Sequence, residues 1–401
     1  MSQAPPRDRT PRLVYAARAL RDFGDGFLVL LLPVYLAALG FDAFAIGVVA
    51  TLALLGSALM TLAIGMIGAR FGERALLIAA SALMAATGIA LAFSHVAALI
   101  FLIALVGTIN PSAGSVSIFV PLEHALLARS VADRERTRTF ALYSLIGALA
   151  AALGALAAAS PDWLARLGLS RLGALQLMFL FYAVLGVAGG ALYARIPRQT
   201  HRAGTRAAPL SRSRTIVLKL AALFSVDAFA GGFAVPTLMA LWLYQKFDLS
   251  LTSAGAFFMV AGLLGALSQP VAGWLGARIG LINTMVWTHI PASLALIAAA
   301  LAPSLELALG LLLARALLSQ MDVPARASYV MAVVAPEERS AAASVTAVPR
   351  SLAAAASPAL AGALFASGYA ALPFMLCGAL KIAYDLTLLA LFHNLRPPEE
   401  R

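Results

Sequence analysis

The sequence predicts an all-α membrane protein: twelve transmembrane helices in two pseudo-symmetric six-helix bundles. Three observations predict it. The first is composition. Of 401 residues, 62% are hydrophobic and only 12% charged, with a mean hydropathy of +0.90. A soluble globular chain carries about 25% charged residues, so this chain cannot cover a water-facing surface. It is also far too apolar for disorder. The second is twelve apolar runs, each close to the about 20 residues that span a bilayer. The third is an internal repeat that relates the first six runs to the last six.

The runs fall in order along the chain. In the first half they cover 13–39, 45–68, 75–93, 97–127, 139–159 and 173–194. In the second they cover 216–243, 251–274, 281–302, 305–334, 341–364 and 370–393. Prolines are expected to interrupt several: Pro33 in span 1, Asn110-Pro111 and Pro121 in span 4, Pro236 in span 7 and Gln269-Pro270 in span 8. A membrane proline frees carbonyls that a cavity can use. Gly147 and Gly154 in span 5 suit close helix packing. The gaps are short except 195–215, which holds six arginines. The expected organisation is therefore a bundle at 1–194, a basic linker at 195–215 and a second bundle at 216–401.

Charge sets the orientation. With the N-terminus inside, inner segments hold 20 Lys and Arg and outer gaps hold three, Arg166, Arg171 and Lys246. The positive-inside rule then puts both termini and the linker in the cytoplasm. The net charge of +11 reads as topology and contact with anionic lipid, with no nucleic-acid partner expected. The single cysteine, Cys377, excludes an internal disulfide and any Cys-cluster metal site.

The halves repeat in several places. Gly68-Ala69-Arg70-Phe71-Gly72 recurs as Gly276-Ala277-Arg278-Ile279-Gly280. Pro121 matches Pro324, and Val131 through Arg136 matches Val334 through Arg339, both at an offset of 203. Asp22 and Gly26 match Asp227 and Gly231 at 205. Two such halves can rock about a central site. On these features the chain resembles the major facilitator superfamily, over nearly its whole length. That family's motif after span 2 is G-x-x-x-D-R-x-G-R-R. Here Gly65, Arg70, Gly72 and Arg74 match it, while Ala69 and Glu73 depart from it. Gly65, Arg70, Gly72, Arg74, Gly276 and Arg278 are accordingly the expected cytoplasmic gate. The stretch from Ser319 to Arg339 resembles a prokaryotic permease and efflux branch, which implies a bacterial inner membrane. The resemblance also implies that spans 1, 4, 7 and 10 line a central cavity.

Charges inside spans mark function by default. Arg18, Arg21, Asp22 and Asp25 share one face of span 1; Arg18 can pair with Asp22, and Arg21 with Asp25. Span 4 carries Glu123, which either sits at an inner interface with Arg129 or bridges the halves to Arg326. Asp227 has no cation within one turn. It is read as titrating or as a partner across the cavity, opposite Asp22. Asp322 and Arg326 are spaced for an intrahelical pair on span 10, and Lys381 and Asp385 for a structural one on span 12. The proton-coupling candidates are Asp22, Asp25, Asp227 and Asp322. Candidates for substrate binding or charge pairing are Arg21, Asn110, Glu123, Gln269, Arg315, Arg326 and Arg350. Arg315 suits an anion, because its planar fork matches carboxylate or phosphate.

No P-loop, H-E-x-x-H or G-x-S-x-G occurs, and the histidines have no metal-ligand spacing. The expectation is a non-enzymatic secondary transporter for a small molecule, without a cofactor. It is expected to be proton-coupled by symport or antiport, with efflux in view, and to act as a monomer. An uncoupled facilitator is the alternative. A sensor or scaffold is disfavoured because no soluble domain is appended to pass on a signal.

Overall fold

The computed structural model describes residues 9–67, 71–112, 117–131, 133–197, 211, 213–335 and 338–393. Arg70 and most of the 195–215 linker lie outside them. Among the described residues the chain is helical, with no strand. The first half forms α1 (Thr10–Ala38), α2 (Ala43–Ile67), α3 (Glu73–Phe93), α4 (Ala97–Val106), α5 (Phe119–Ser130), α6 (Asp133–Ala157), α7 (Ser160–Arg166) and α8 (Arg171–Ala194). The second forms α9 (Arg214–Gly232), α10 (Pro236–Phe247), α11 (Leu251–Ile279), α12 (Leu281–Leu301), α13 (Leu305–Ser319), α14 (Asp322–Val333), α15 (Arg339–Ala366) and α16 (Leu372–Phe392).

Every apolar run carries helix. Spans 4, 7 and 10 are each broken in two, and span 5 is followed by the short α7. Nine helical stretches among the described residues are long and apolar enough to cross a membrane. The rest are set apart by their sequence: α1 holds five charges, α4 and α5 are separated, and α15 is diluted by serines, prolines and Arg350.

Only some prolines break helices. Pro236 opens α10, and Pro121 sits in the first turn of α5, where its missing N–H has no helical acceptor to lose. Pro33 and Pro270, expected to interrupt their spans, lie inside continuous helices. Neighbouring helices in a membrane bundle can accommodate the freed carbonyls.

The internal repeat has a structural counterpart. Helices α5 and α14 begin at Phe119 and Asp322, the offset of 203 seen in the sequence. Arg136 reaches back to the Ala128 carbonyl at 3.1 Å, and its equivalent Arg339 to the Met331 carbonyl at 3.0 Å. Each thereby caps the helix before it. Gly72 and Gly280 precede α3 and α12 with φ of 40° and 87°, a region glycine enters without a Cβ clash. That explains why this glycine appears in both copies.

The ends of α1, α8, α9 and α16 nearest the linker define one face of the bundle, and the opposite face is distal. Four hydrogen bonds join the halves among the described residues. Tyr244 donates to the Leu30 carbonyl (3.2 Å), Thr237 to the Pro111 carbonyl (3.3 Å), Thr252 to Asp162 (3.2 Å), and the Ala359 N–H to Thr51 (3.0 Å). All lie in the distal part. There α2 and α15 also meet closely: a Cβ on Gly47 would lie 2.5 Å from the Pro358 carbonyl oxygen. Small residues permit such approach in lipid, where apolar burial does not drive helices together. The halves are thus tied at the distal face.

Candidate functional site

Two buried polar networks lie near mid-depth, one inside each half. In the first half α1 supplies both signs of charge. Arg18 Nε pairs with Asp22 at 2.6 Å and Arg21 Nε with its other oxygen at 3.4 Å. The second arm of Arg21 reaches Glu123 on α5 at 2.9 Å. Glu123 is fully buried and accepts from the hydroxyls of Tyr143 on α6 and Tyr193 on α8, each at 2.6 Å. Arg18 donates to Tyr143 and lies over its ring, while Arg21 stacks on Phe119. Gly147 on α6 makes room for the Arg18–Asp22 pair, since a Cβ there would lie 2.5 Å from Asp22 Oδ2.

Two expectations change. Arg21 pairs with Asp22 and Glu123 rather than with Asp25. Glu123 turns into its own half toward Arg21, and neither Arg129 nor Arg326 is its partner. Arg129 instead pairs with Glu73 at the linker face. The reason is the helical pitch combined with the close packing of α5 on α1, which puts Glu123 level with Arg21. Asp25 accepts a hydrogen bond from Tyr182 on α8 at 3.2 Å and pairs with no cation among the described residues. It is 2% exposed.

In the second half Asp227 on α9 is the hub. Lys381 on α16 reaches it at 2.5 Å and Arg326 on α14 at 2.9 Å, with His289 on α12 at 4.0 Å. The expectation that Asp227 lacks a cation holds only along its own helix; its cations come from neighbouring helices. Nor does Asp227 face Asp22, because each turns into its own bundle. Arg326 also bridges to Asp322 at 3.2 Å, the intrahelical pair the spacing suggested. Lys381 and Asp385 do not pair. Asp385 meets His289 Nδ1 at 3.1 Å, and Lys381 lies 3.3 Å from His289 Nε2. No ion pair crosses between the halves among the described residues.

The remaining candidates are scattered. Asn110 is buried and its carbonyl oxygen accepts from the N–H and hydroxyl of Ser112, a local turn. Gln269 is half-buried on α11. Arg315 on α13 is half-buried and Arg350 on α15 exposed, and neither has an ion pair among the described residues. At the linker face Arg74 donates to the Ala194 carbonyl at 2.6 Å, tying α3 to the end of α8. Gly72 forms the turn before α3, and Gly65 ends within α2. Gly276 is buried on α11, while Arg278 is exposed and lies over the Trp274 ring. Arg70 lies outside the described residues.

Sequence reasoning missed Tyr143 as a glutamate partner, and it missed Tyr182, Tyr193, His289 and Lys381 as members of these networks. Each is a polar group in an apolar run, which is itself a signal. Their partners sit on other helices and carry no local spacing rule.

Comparison with known proteins agrees with this architecture. The family model described as Major Facilitator Superfamily matches residues 14–321 and 221–401. The Saccharomyces cerevisiae protein called uncharacterized membrane protein YJR124C is 24% identical, over 96% of this chain and 94% of that one. Among solved structures, a bacterial homolog of the human lysosomal transporter Spinster, inward-facing and occupied, is 17% identical. It superposes with a TM-score of 0.74, over 98% of this chain and 99% of that one. The nucleoside transporter NupG superposes with a TM-score of 0.72 at 14% identity, covering 96% of this chain and 99% of that one. The peptide transporter POT reaches 0.75 at 14% identity, over 96% of this chain and 95% of that one. At such identities these likenesses show the fold alone, but the family match extends over almost the whole chain: this protein belongs to the Major Facilitator Superfamily of membrane transporters.

Proposed function

We propose that the protein is a proton-coupled secondary transporter of a small solute, with Asp25 as its titrating carboxylate. One observation carries this reading. Asp22, Glu123, Asp227 and Asp322 each have an arginine or lysine within 3.4 Å, whereas Asp25 has, among the described residues, only the Tyr182 hydroxyl. Protonating any of the first four would break a buried ion pair. Protonating Asp25 breaks no ion pair. Arg18, Arg21 and Asp22 are the nearest charges to it, all on its own helix. Asp25 also sits five residues before Leu30, whose carbonyl holds Tyr244 of the other half. Any motion that parts the halves at the distal face therefore acts on α1 itself.

The 20-to-3 excess of Lys and Arg supports a cytoplasmic linker face. In that orientation the hydrogen bonds between the halves close the outer side and leave the inward-facing state. A bacterial inner membrane rests on the sequence resemblance alone, since the curated relative is from yeast. The same resemblance keeps efflux in view.

The test uses a solute found by thermal-shift screening, because a ligand of the native state raises stability by mass action. In proteoliposomes under an imposed pH gradient, Asp25→Asn is expected to abolish gradient-driven movement and to leave solute exchange intact. Full gradient-driven transport by Asp25→Asn would remove Asp25 from the mechanism. If the unmodified protein exchanged the solute but showed no gradient-driven movement, the protein would be an uncoupled facilitator.

A further inference from the structure

We infer that the solute is an organic anion, a carboxylate or phosphate, received by Arg350 with Arg315 as a second cation. This rests on the transporter reading but not on proton coupling. Arg350 lies eleven residues into α15, about 17 Å from the linker end at 1.5 Å per residue. That puts it level with the second-half network, and Arg326, Asp227 and Asp322 are its electrostatic neighbours. It is nonetheless exposed and makes no ion pair or hydrogen bond among the described residues. Asp227 and Asp322 are already taken by Arg326 and Lys381.

The side of α15 that carries Arg350 packs on α9 further along the helix. Residues 350, 354 and 357 form one stripe. Further along it, Ser357 donates to the Phe229 carbonyl of α9, and a Cβ on Gly232 of α9 would lie 2.5 Å from the Ala354 carbonyl oxygen. Arg350 therefore sits where this α9–α15 seam runs toward the linker face, where no hydrogen bond joins the halves among the described residues. An arginine exposed at mid-membrane persists when it lines a water-filled cavity. Arg315 on α13 has the buried Cys377, one turn from Lys381 on α16, as its electrostatic neighbour. It too has no ion pair among the described residues. Guanidinium forks bind carboxylate or phosphate with two parallel hydrogen bonds. Two spare arginines beside a filled network thus select for negative charge.

The experiment is thermal denaturation of the purified full-length protein at fixed ionic strength. The probes are acetate, glutarate, citrate and glycerol phosphate, each beside a neutral counterpart: acetamide, glutaramide, citramide and glycerol. At least one anion is expected to raise the melting temperature while its neutral counterpart does not. Arg350→Gln should weaken that anion at least tenfold and Arg315→Gln less, while Arg350→Lys should retain part of the affinity. Binding is read in detergent without a pH gradient, which separates this inference from proton coupling. It is overturned if neutral probes stabilise as well as anions, if no anion stabilises, or if Arg350→Gln binds like the unmodified protein.

Discussion

The two half-bundles place charge at the same two positions and give one of them opposite sign. Asp22 and Asp227 are equivalent on the first helix of each half, but Glu123 on α5 is matched by Arg326 on α14. In the first half the carboxylate at position 123 forces the cations to come from α1 itself, as Arg18 and Arg21. Two arginines then face three carboxylates, and Asp25 is left over. In the second half the cation is already on α14, so Asp227 gathers it with Lys381, and α9 needs no arginine. The surplus there is positive, at Arg315 and Arg350. Pseudo-symmetry keeps the place for a charge, not its sign. The inequality leaves one half with a spare acid and the other with spare cations.

Four measurements of thermal stability in detergent sharpen or break this comparison. The largest effect is expected at Glu123. Glu123→Gln removes the charge that holds Arg21 among Tyr143, Tyr193 and Phe119, at a cost of about 3 kcal/mol. An unchanged melting temperature would mean that Arg21 is satisfied without it.

Next come two equivalent glycines. A Cβ on Gly26 would lie 3.0 Å from the Ala155 nitrogen, against the backbone of α6, whereas one on Gly231 would come no nearer to a described neighbour than 3.9 Å, at Lys381 Nζ. Gly26→Ala should lose about 2 kcal/mol by overpacking, and Gly231→Ala almost nothing. Equal losses would show that the halves pack alike at this position.

A double-mutant cycle on Asp322 and Arg326 should give a smaller coupling, about 1 kcal/mol, because Arg326 keeps Asp227 when Asp322 is neutral. Strictly additive losses would dissolve the pair. The smallest effect belongs to Glu73→Gln at the linker face. Its partner Arg129 is 42% exposed, and surface pairs contribute at most about 1 kcal/mol. A loss above 2 kcal/mol would make that contact a structural lock instead.

Much of the fold was legible because membrane insertion leaves few choices. Twenty apolar residues in lipid must close their own hydrogen bonds, so each run becomes helix. The repeat was legible through residues with backbone duties: Gly72 and Gly280 at their turns, Arg136 and Arg339 on carbonyls eight residues back. The site was legible only as an inventory. Nearly every acid that spacing selected does lie in a buried network, yet several pairings differed. An i, i+4 rule sees one helix, and Asp227 takes its cations from two others.

What the sequence determined by itself was the helical membrane fold, its two-fold repeat and the list of charges that must find partners in low dielectric. Those follow from composition and period, which act locally and need no knowledge of neighbours. The tertiary structure decided which partners they find. It turned Glu123 toward Arg21 and Lys381 toward Asp227, and among the described residues it left Asp25 with a tyrosine and Arg350 without an ion pair. The reason is geometric. A buried ion pair forms only where two helices bring opposite charges to the same depth and the same side, and those coordinates belong to the packed bundle.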